Sequence, residues 1–447
     1  FAKLEAVAPG FINMNINDEF LVNYVNEMNK DEQFGVSKTT EIKKIVVDYG
    51  GANVAKPLHI GHLRSAIIGE SIKRIAKFLG HDVIGDVHLG DWGLQMGMVI
   101  SEVERRNPSL PYFDENFTGE YPEEAPFTID ELEEIYPYAS KLAKSDEKVM
   151  EAAKQATVEL QQGRRGYVAL WKHILNVSVT DLKKNYGALD VDFELWNGES
   201  DAQKFIPAMI EELKEKGFAQ ESEGALVFDV SEETDKSPVP PLLLLKSDGA
   251  SLYGTTDLAT VVERVRDMKA DEIIYLADKR QGLHYEQFFR AAKKSGIAHE
   301  DTVLDFIGFG TMNGKDGKPF KTREGGVMRL ADLINMIKEA GKEKLKDNKN
   351  IAEEDVEEIS SKVGLAALKY GDLSNQASKD YVFDIDRFAS FEGNTGPYIL
   401  YTIVRIKSIL NKSEGFNAEN SILAPQSESE RGLMLQLAKF NEVIELS

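Results

Sequence analysis

The chain has 447 residues, a net charge of −22, 29% charged and 42% hydrophobic residues, and no cysteine. This length exceeds one compact core and predicts two to four domains of a soluble globular protein. Disulfides and cysteine-based zinc or nucleophile chemistry are excluded. No apolar run reaches membrane-spanning length. The acidic balance argues against tight non-specific nucleic-acid binding, although screening over about 8 Å leaves room for a local basic groove.

The first residues, Phe1-Ala2-Lys3-Leu4-Glu5, show neither an initiator Met nor a charged-then-apolar leader, so they read as a cut end. Residues 43–49 read as a strand, 58–79 as an amphipathic helix, 81–87 as a second strand and 91–106 as another helix. Such alternation predicts parallel βαβ units. Residues 107–127, with Pro108, Pro111, Pro122 and Pro126, read as loop, and 128–186 as helix. Further on, the pattern changes at Asp190–Leu195 and 204–216 reads as a short helix, while Gly224–Asp229 and Pro241–Lys246 make a hairpin-like element. The alternation resumes with a helix near 256–268, a strand at 271–277 and a helix near 284–294. A Rossmann-like sheet in two halves, about 42–104 and 248–312, is therefore expected, with an insertion at about 105–247. Beyond 328 the chain reads as nearly all helical.

Four segments carry chemistry. In the first, Lys56-Pro57-Leu58-His59-Ile60-Gly61-His62 follows the strand Ile45–Tyr49 and opens a helix. A helix N-terminus favours an anion, and two imidazoles add donors suited to a triphosphate. At this composition chance expects about 0.01 occurrences of His-x-Gly-His, so coincidence is a poor explanation; a pair of capping histidines is the simpler alternative. The second is the loop 310–326, rich in glycine and lysine, which could clamp a phosphate or form a solvated hairpin. In the third, Tyr253 and Asp257 stand four apart, on one helix side. Asp48, at the C-terminal end of the first strand, stands where α/β sheets place ligands. The fourth comprises His88-Leu89-Gly90-Asp91-Trp92-Gly93, with Asp91 expected to cap a helix, and Gln281, at the opening of another helix.

Together these segments resemble the arginyl-tRNA synthetases of bacterial type, within the class I aminoacyl-tRNA synthetases. His59-Ile60-Gly61-His62 is similar to the class I HIGH signature. Asn53–Pro57, Leu63-Arg64-Ser65 and His88–Gly93 are similar to the arginyl version. Lys318-Pro319-Phe320-Lys321-Thr322-Arg323 occupies the place of the KMSKS loop but departs from its pattern. The resemblance implies an α/β fold: a Rossmann-like parallel sheet catalytic domain with an insertion, followed by an all-helical C-terminal region.

It further implies ATP-dependent activation of L-arginine and transfer to the 3′-terminal ribose of tRNA(Arg), with Mg²⁺ accompanying the nucleotide. His59, Gly61, His62, Lys56, Lys318 and Lys321 would bind ATP, all but Gly61 acting in catalysis. Asp48, Asn53, Tyr253, Asp257 and Gln281 would bind arginine, and no residue is assigned to a metal. The expected domains are 1–30, a remnant of the tRNA-elbow domain; 31–330, catalytic; 331–389, a helical connection; and 390–447, the first part of the anticodon-binding domain. Grip on tRNA would be weakened by truncation, and a cytoplasmic monomer without membrane contact is expected. Another class I synthetase, a His-x-Gly-His adenylyltransferase or a non-catalytic tRNA-binding paralogue remain alternatives at this stage.

Overall fold

The computed structural model describes every residue except 248, 319, 321–327, 347–350, 414–416 and 418–420. The described residues form two compact units. One comprises Phe1–Lys43, Ser71–Asp82 and Thr402–Ser447; the other comprises Lys44–Glu70 and Val83–Tyr401.

The first unit begins with an antiparallel hairpin, Lys3–Val7 against Phe11–Asn15, which the sequence reading left without structure. The helix Asp18–Lys30 follows. Its N-terminus is capped by the Asn17 side chain, and Leu21, Val25 and Met28 are buried on one face. The helix Glu428–Ala438 belongs to the same unit, where Arg431 donates to Asp18 at 2.7 Å.

The second unit is built on a four-stranded sheet in the order Asp82–Asp86, Lys44–Asp48, Glu272–Asp278, Val303–Phe309. Glu272–Asp278 pairs in parallel with both Lys44–Asp48 and Val303–Phe309. Ile45, Val46 and Val47 are all buried, as a strand covered on both faces requires. The two middle strands come from the two separate halves of the pattern, so the strand order reverses between them. That switch point is where open α/β sheets bind ligands.

Local departures from the sequence reading have local causes. The helix expected from 58 opens at Gly61 and runs to Phe78, because residues 58–60 pair with residues 328–330: Ile60 N–H donates to the Met328 carbonyl and Leu330 N–H to that of Leu58. Where the pattern changes at Asp190–Leu195, the chain is irregular and Leu195 bridges to Asp86. The expected hairpin is a three-stranded antiparallel sheet, Ala219–Ser222, Ala225–Phe228 and Leu242–Leu245. Beyond 328, the two-residue strand Tyr381–Val382 interrupts the helices by pairing in parallel with Met312–Asn313.

Arg64, fully buried two residues after His62, joins three parts of this unit. Its Nε donates to Asp372 at 2.9 Å, and its Nη1 donates to the carbonyls of Gly310 and Lys379 at 2.7 and 2.9 Å. Tyr381 stacks 5.0 Å from its guanidinium. Removing one partner of such a dry pair leaves an uncompensated charge. Asp372→Ala should therefore lower unfolding free energy by about 3–5 kcal/mol in urea titrations, and a loss below about 1 kcal/mol would show the pair to be dispensable.

Candidate functional site

The two signature histidines are fixed by their own turn. Gly61 N–H donates to His59 Nδ1 at 3.0 Å, and His59 N–H donates to His62 Nδ1 at 3.1 Å. The rings lie 4.0 Å apart. A Cβ on Gly61 would stand 2.7 Å from the His59 ring, which is why glycine separates the two histidines. Burial first, then the Lys56 charge, lowers the His59 pKa. Burial, the neighbouring His59 and Lys56 push His62 down to about 3. Both rings are therefore neutral near pH 7. His59 Nδ1 accepts from the backbone, which assigns its ring proton to Nε2 as an outward donor; His62 Nδ1 faces both the N–H and, at 3.2 Å, the carbonyl of His59, so either ring nitrogen can carry its proton.

The backbone at this helix start is less available than expected. His62 N–H already donates to the His59 carbonyl and Leu63 N–H to that of Ile60. The imidazoles, rather than the first amides, are the free donors here.

His59, Gly61 and His62 line a cavity of about 460 Å³ at the switch point of the sheet. Its other walls are Gly50 and Gly51 after one middle strand, Leu276 to Asp278 on the other, Gln281, and Phe309 to Met312. Ser65 ties this floor together: its Oγ accepts from Gly50 N–H at 2.9 Å and donates to the Leu276 carbonyl at 3.4 Å. Aromatic and glycine surfaces at one end and imidazole donors at the other suit a nucleotide.

A second cavity, of about 190 Å³, is lined by Asn53, Lys56, Gly90, Gln95, Tyr136, Glu199 and Tyr253, among others. The loops after the first two sheet strands close upon each other here. Gly90 N–H donates to the Ala52 carbonyl and Val54 N–H to that of Gly90. A Cβ on Gly90 would fall 2.3 Å from Asn53 Oδ1, so glycine is required for the approach. Lys56 extends over the Tyr136 ring at 4.6 Å.

Glu199 is the residue that the sequence reading missed. Asp91 holds its loop: the Asp91 carboxylate accepts from Ser200 N–H at 3.0 Å and Ser200 Oγ at 2.6 Å, and Glu199 N–H donates to the Leu89 carbonyl. Asp91 therefore clamps two loops instead of capping a helix, whose N-cap is Gly93. Burial, followed by repulsion from Asp257 and Asp91 and opposed by His88, pushes the Glu199 carboxyl up to about 7. Nothing in the run Gly198-Glu199-Ser200 signals this, because the partners lie about a hundred residues upstream.

The remaining expected residues divide. Asp257 accepts from His284 Nε2 at 2.5 Å. Asp48 accepts from the buried Arg264 at 2.6 Å. Asp48 and Asp257 both act on Tyr285, whose pKa burial and these two charges raise. Tyr253 is 70% exposed at the rim. Gln281 lines the larger cavity, Asn53 and Tyr253 line the smaller one, and Asp48 and Asp257 line neither. Lys318 is exposed on a turn closed by Gly314 N–H to its carbonyl, and it lines neither cavity. Lys321 lies outside the described residues. Asp48, Asp86 and His88 converge as three possible metal ligands, yet Arg264 Nη2 already bridges both carboxylates.

Comparison with known proteins adds independent findings. Residues 24–385 match the family described as tRNA synthetases class I (R), catalytic domain. The arginine–tRNA ligase of Alkaliphilus oremlandii is 67% identical over 449 residues, covering 100% of this chain and 76% of that protein. The arginine–tRNA ligase of Agathobacter rectalis is 62% identical over 459 residues, with the same coverage of 100% and 76%. Among solved structures, the arginyl-tRNA synthetase of Plasmodium falciparum superposes with a TM-score of 0.81 at 27% identity, covering 99% of this chain and 74% of that one.

The protonation of the histidine pair is directly measurable. In an NMR titration the His62 ring should remain neutral from about pH 8 down to about pH 5.5; a midpoint near the ordinary 6.5 would contradict the buried geometry.

Proposed function

The chain belongs to the class I arginyl-tRNA synthetases, and from that membership we propose a division of labour among its residues. The protein is an arginine–tRNA ligase that uses ATP, with arginine and tRNA(Arg) as its other substrates. The observation that carries the division is the adjacency, at one end of a single sheet, of two neutral imidazoles lining one cavity and of Asn53, Glu199 and Tyr253 lining another.

The nucleotide takes the larger cavity, its base toward Phe309–Met312 and its phosphates toward the rings of His59 and His62. Lys56 supplies the nearby positive charge, as its effect on both imidazoles supports. Lys318 and Lys321 act from the loop on the departing pyrophosphate, and Mg²⁺ arrives with the phosphates. Arginine lies with its guanidinium among Asp48, Asp257 and Glu199, beside Tyr253, because five fixed donors demand planar acceptors. Asn53 and Gln281 hold the end bearing the α-carboxylate between the two cavities.

The α-carboxylate oxygen then attacks the α-phosphorus of ATP. A P–O bond forms to give arginyl-adenylate, and the bond to pyrophosphate breaks with its electron pair leaving on pyrophosphate. In the second step a hydroxyl of the tRNA 3′-terminal ribose attacks the arginyl carbonyl carbon, and AMP leaves. The protein's contribution is alignment and stabilisation of charge rather than covalent participation. Neutral imidazoles suit this role, because they donate to phosphate without the attraction of a full charge that product release would have to overcome. Neutral analogues of arginine are rejected because they would leave buried carboxylates unpaired. We further take the protein as a cytoplasmic monomer, with residues 31–330 catalytic and 390–447 opening the anticodon-binding helices. Among the described residues no helix is long and apolar enough to cross a membrane.

The test is steady-state aminoacylation and ATP–pyrophosphate exchange in the presence of tRNA(Arg). Asp257→Ala should raise the arginine KM far more than the ATP KM, and equal effects on both would sink the pocket assignment. Glu199 adds a pH dependence of defined sign. Its carboxylate form prevails above about pH 7, so the arginine KM should fall as pH rises through that value. Glu199→Gln should raise the KM and flatten the profile; an unchanged profile would exclude Glu199 from the guanidinium site.

A further inference from the structure

Behind the acidic pocket lies a buried charge cluster that the reaction scheme does not use. Arg264 is 1% exposed. Its Nη2 donates to Asp48 Oδ2 at 2.6 Å and to Asp86 Oδ2 at 2.7 Å, and the Tyr275 ring packs 5.1 Å from its guanidinium carbon. Asp48 and Asp86 end neighbouring strands, so two carboxylates converge on one guanidinium, Asp86 buried and Asp48 partly open. Left alone, such a pair would take up a proton, because two like charges are poorly tolerated at close range.

The route by which Arg264 reaches this place is itself unusual. The helix Tyr253–Val262 continues into a π-helical turn, Glu263–Asp267, which carries Arg264. Such turns are rare and occur disproportionately at functional sites. Tyr253, Asp257 and Arg264 are spaced by four and seven residues, which keeps them on one stripe of the helix. One element therefore presents two residues to the substrate pocket and anchors a third carboxylate, Asp48, from behind.

We propose that Arg264 is a positioning residue: by bridging Asp48 to Asp86 it holds the Asp48 carboxylate in place, so that its other oxygen is presented to the guanidinium of substrate arginine. This inference rests on the assignment of Asp48 to the arginine pocket. The cation is not itself in question, because burial works against its charge but Asp48, Tyr275 and Asp86 together hold its pKa well above the ordinary value. The other ionisable groups facing the cluster are His88, whose Nδ1 is 4.0 Å from Asp86, Glu263, Asp257, Tyr275 and Tyr285. Burial is the first cause holding both tyrosines above their usual range, so they remain neutral.

Aminoacylation kinetics of the full chain with tRNA(Arg) test the proposal. Arg264→Met should raise the arginine KM about tenfold or more while the ATP KM stays within about twofold. Arg264→Lys restores a cation without the planar bridge and should leave only about a threefold rise, again confined to arginine. A merely structural arginine would move both KM values together, or change turnover and stability while leaving the arginine KM unchanged; either result overturns the proposal. If Arg264→Met fails to fold, Arg264→Lys decides alone: a rise confined to arginine supports the bridge, and no rise or an equal rise in both overturns it. Asp48→Asn separates the positioning role from the pocket assignment beneath it. An unchanged arginine KM in that variant would remove Asp48 from the pocket. A raised KM there, with no arginine-selective effect at Arg264, would refute the positioning role alone.

Discussion

Two carboxylates can converge at the ends of adjacent strands, one of them buried, only if a cation lies between them, and Arg264 satisfies that condition for Asp48 and Asp86. The rest of the site follows from where these strands stop. Beyond them the chain must turn, and the turns after Asp48 and Asp86 join through the Ala52–Gly90 and Gly90–Val54 backbone bonds. The first turn then delivers Lys56 and the histidine pair, and the second delivers His88 and Asp91. A buried ion cluster of this kind contributes little net stability against an apolar alternative. Its value lies in fixing carboxylate positions that an apolar core could not supply.

Cationic substrate recognition and anionic nucleotide recognition place opposite electrostatic demands on neighbouring space. In the proposed division of the site the protein meets them with unequal means. The pocket for the cation uses formal charges, with Glu199 poised near neutrality by burial and by Asp257 and Asp91. The cavity for the anion uses neutral donors, because burial and Lys56 keep His59 and His62 uncharged. Arg64 connects this arrangement to the helical region through Asp372 and to the start of the lysine-bearing loop through the Gly310 carbonyl.

Much of this was legible in the sequence where a single short segment carries the information. The β-branched run Ile45-Val46-Val47 and the apolar stretch Ile273–Leu276 mark the central strands, and His59-Ile60-Gly61-His62 marks the turn that lines the larger cavity. The amide contribution of that helix start was overestimated, because the turn needed to aim the imidazoles consumes the amides first. Glu199, His284 and Arg264 were invisible for a different reason. Their roles depend on partners 27 to 216 residues away, such as Asp257 for His284 and Asp48 for Arg264, and no local period encodes such pairings. The clamp formed by Asp91 on Ser200 was misread as a helix cap on the same grounds, since a local acid before a helix is indistinguishable from one that reaches across 109 residues.

The central claim is that one sheet end holds a cation pocket and a nucleotide cavity side by side. A crystal structure of the chain with L-arginine and a non-hydrolysable ATP analogue tests it most directly. The expected result is guanidinium density between Asp48, Asp257 and Glu199, with the α-phosphate within reach of the arginine carboxylate and of the His59 and His62 rings. Arginine bound with its guanidinium away from those three carboxylates, or a nucleotide outside the Gly50–Met312 cavity, would contradict it.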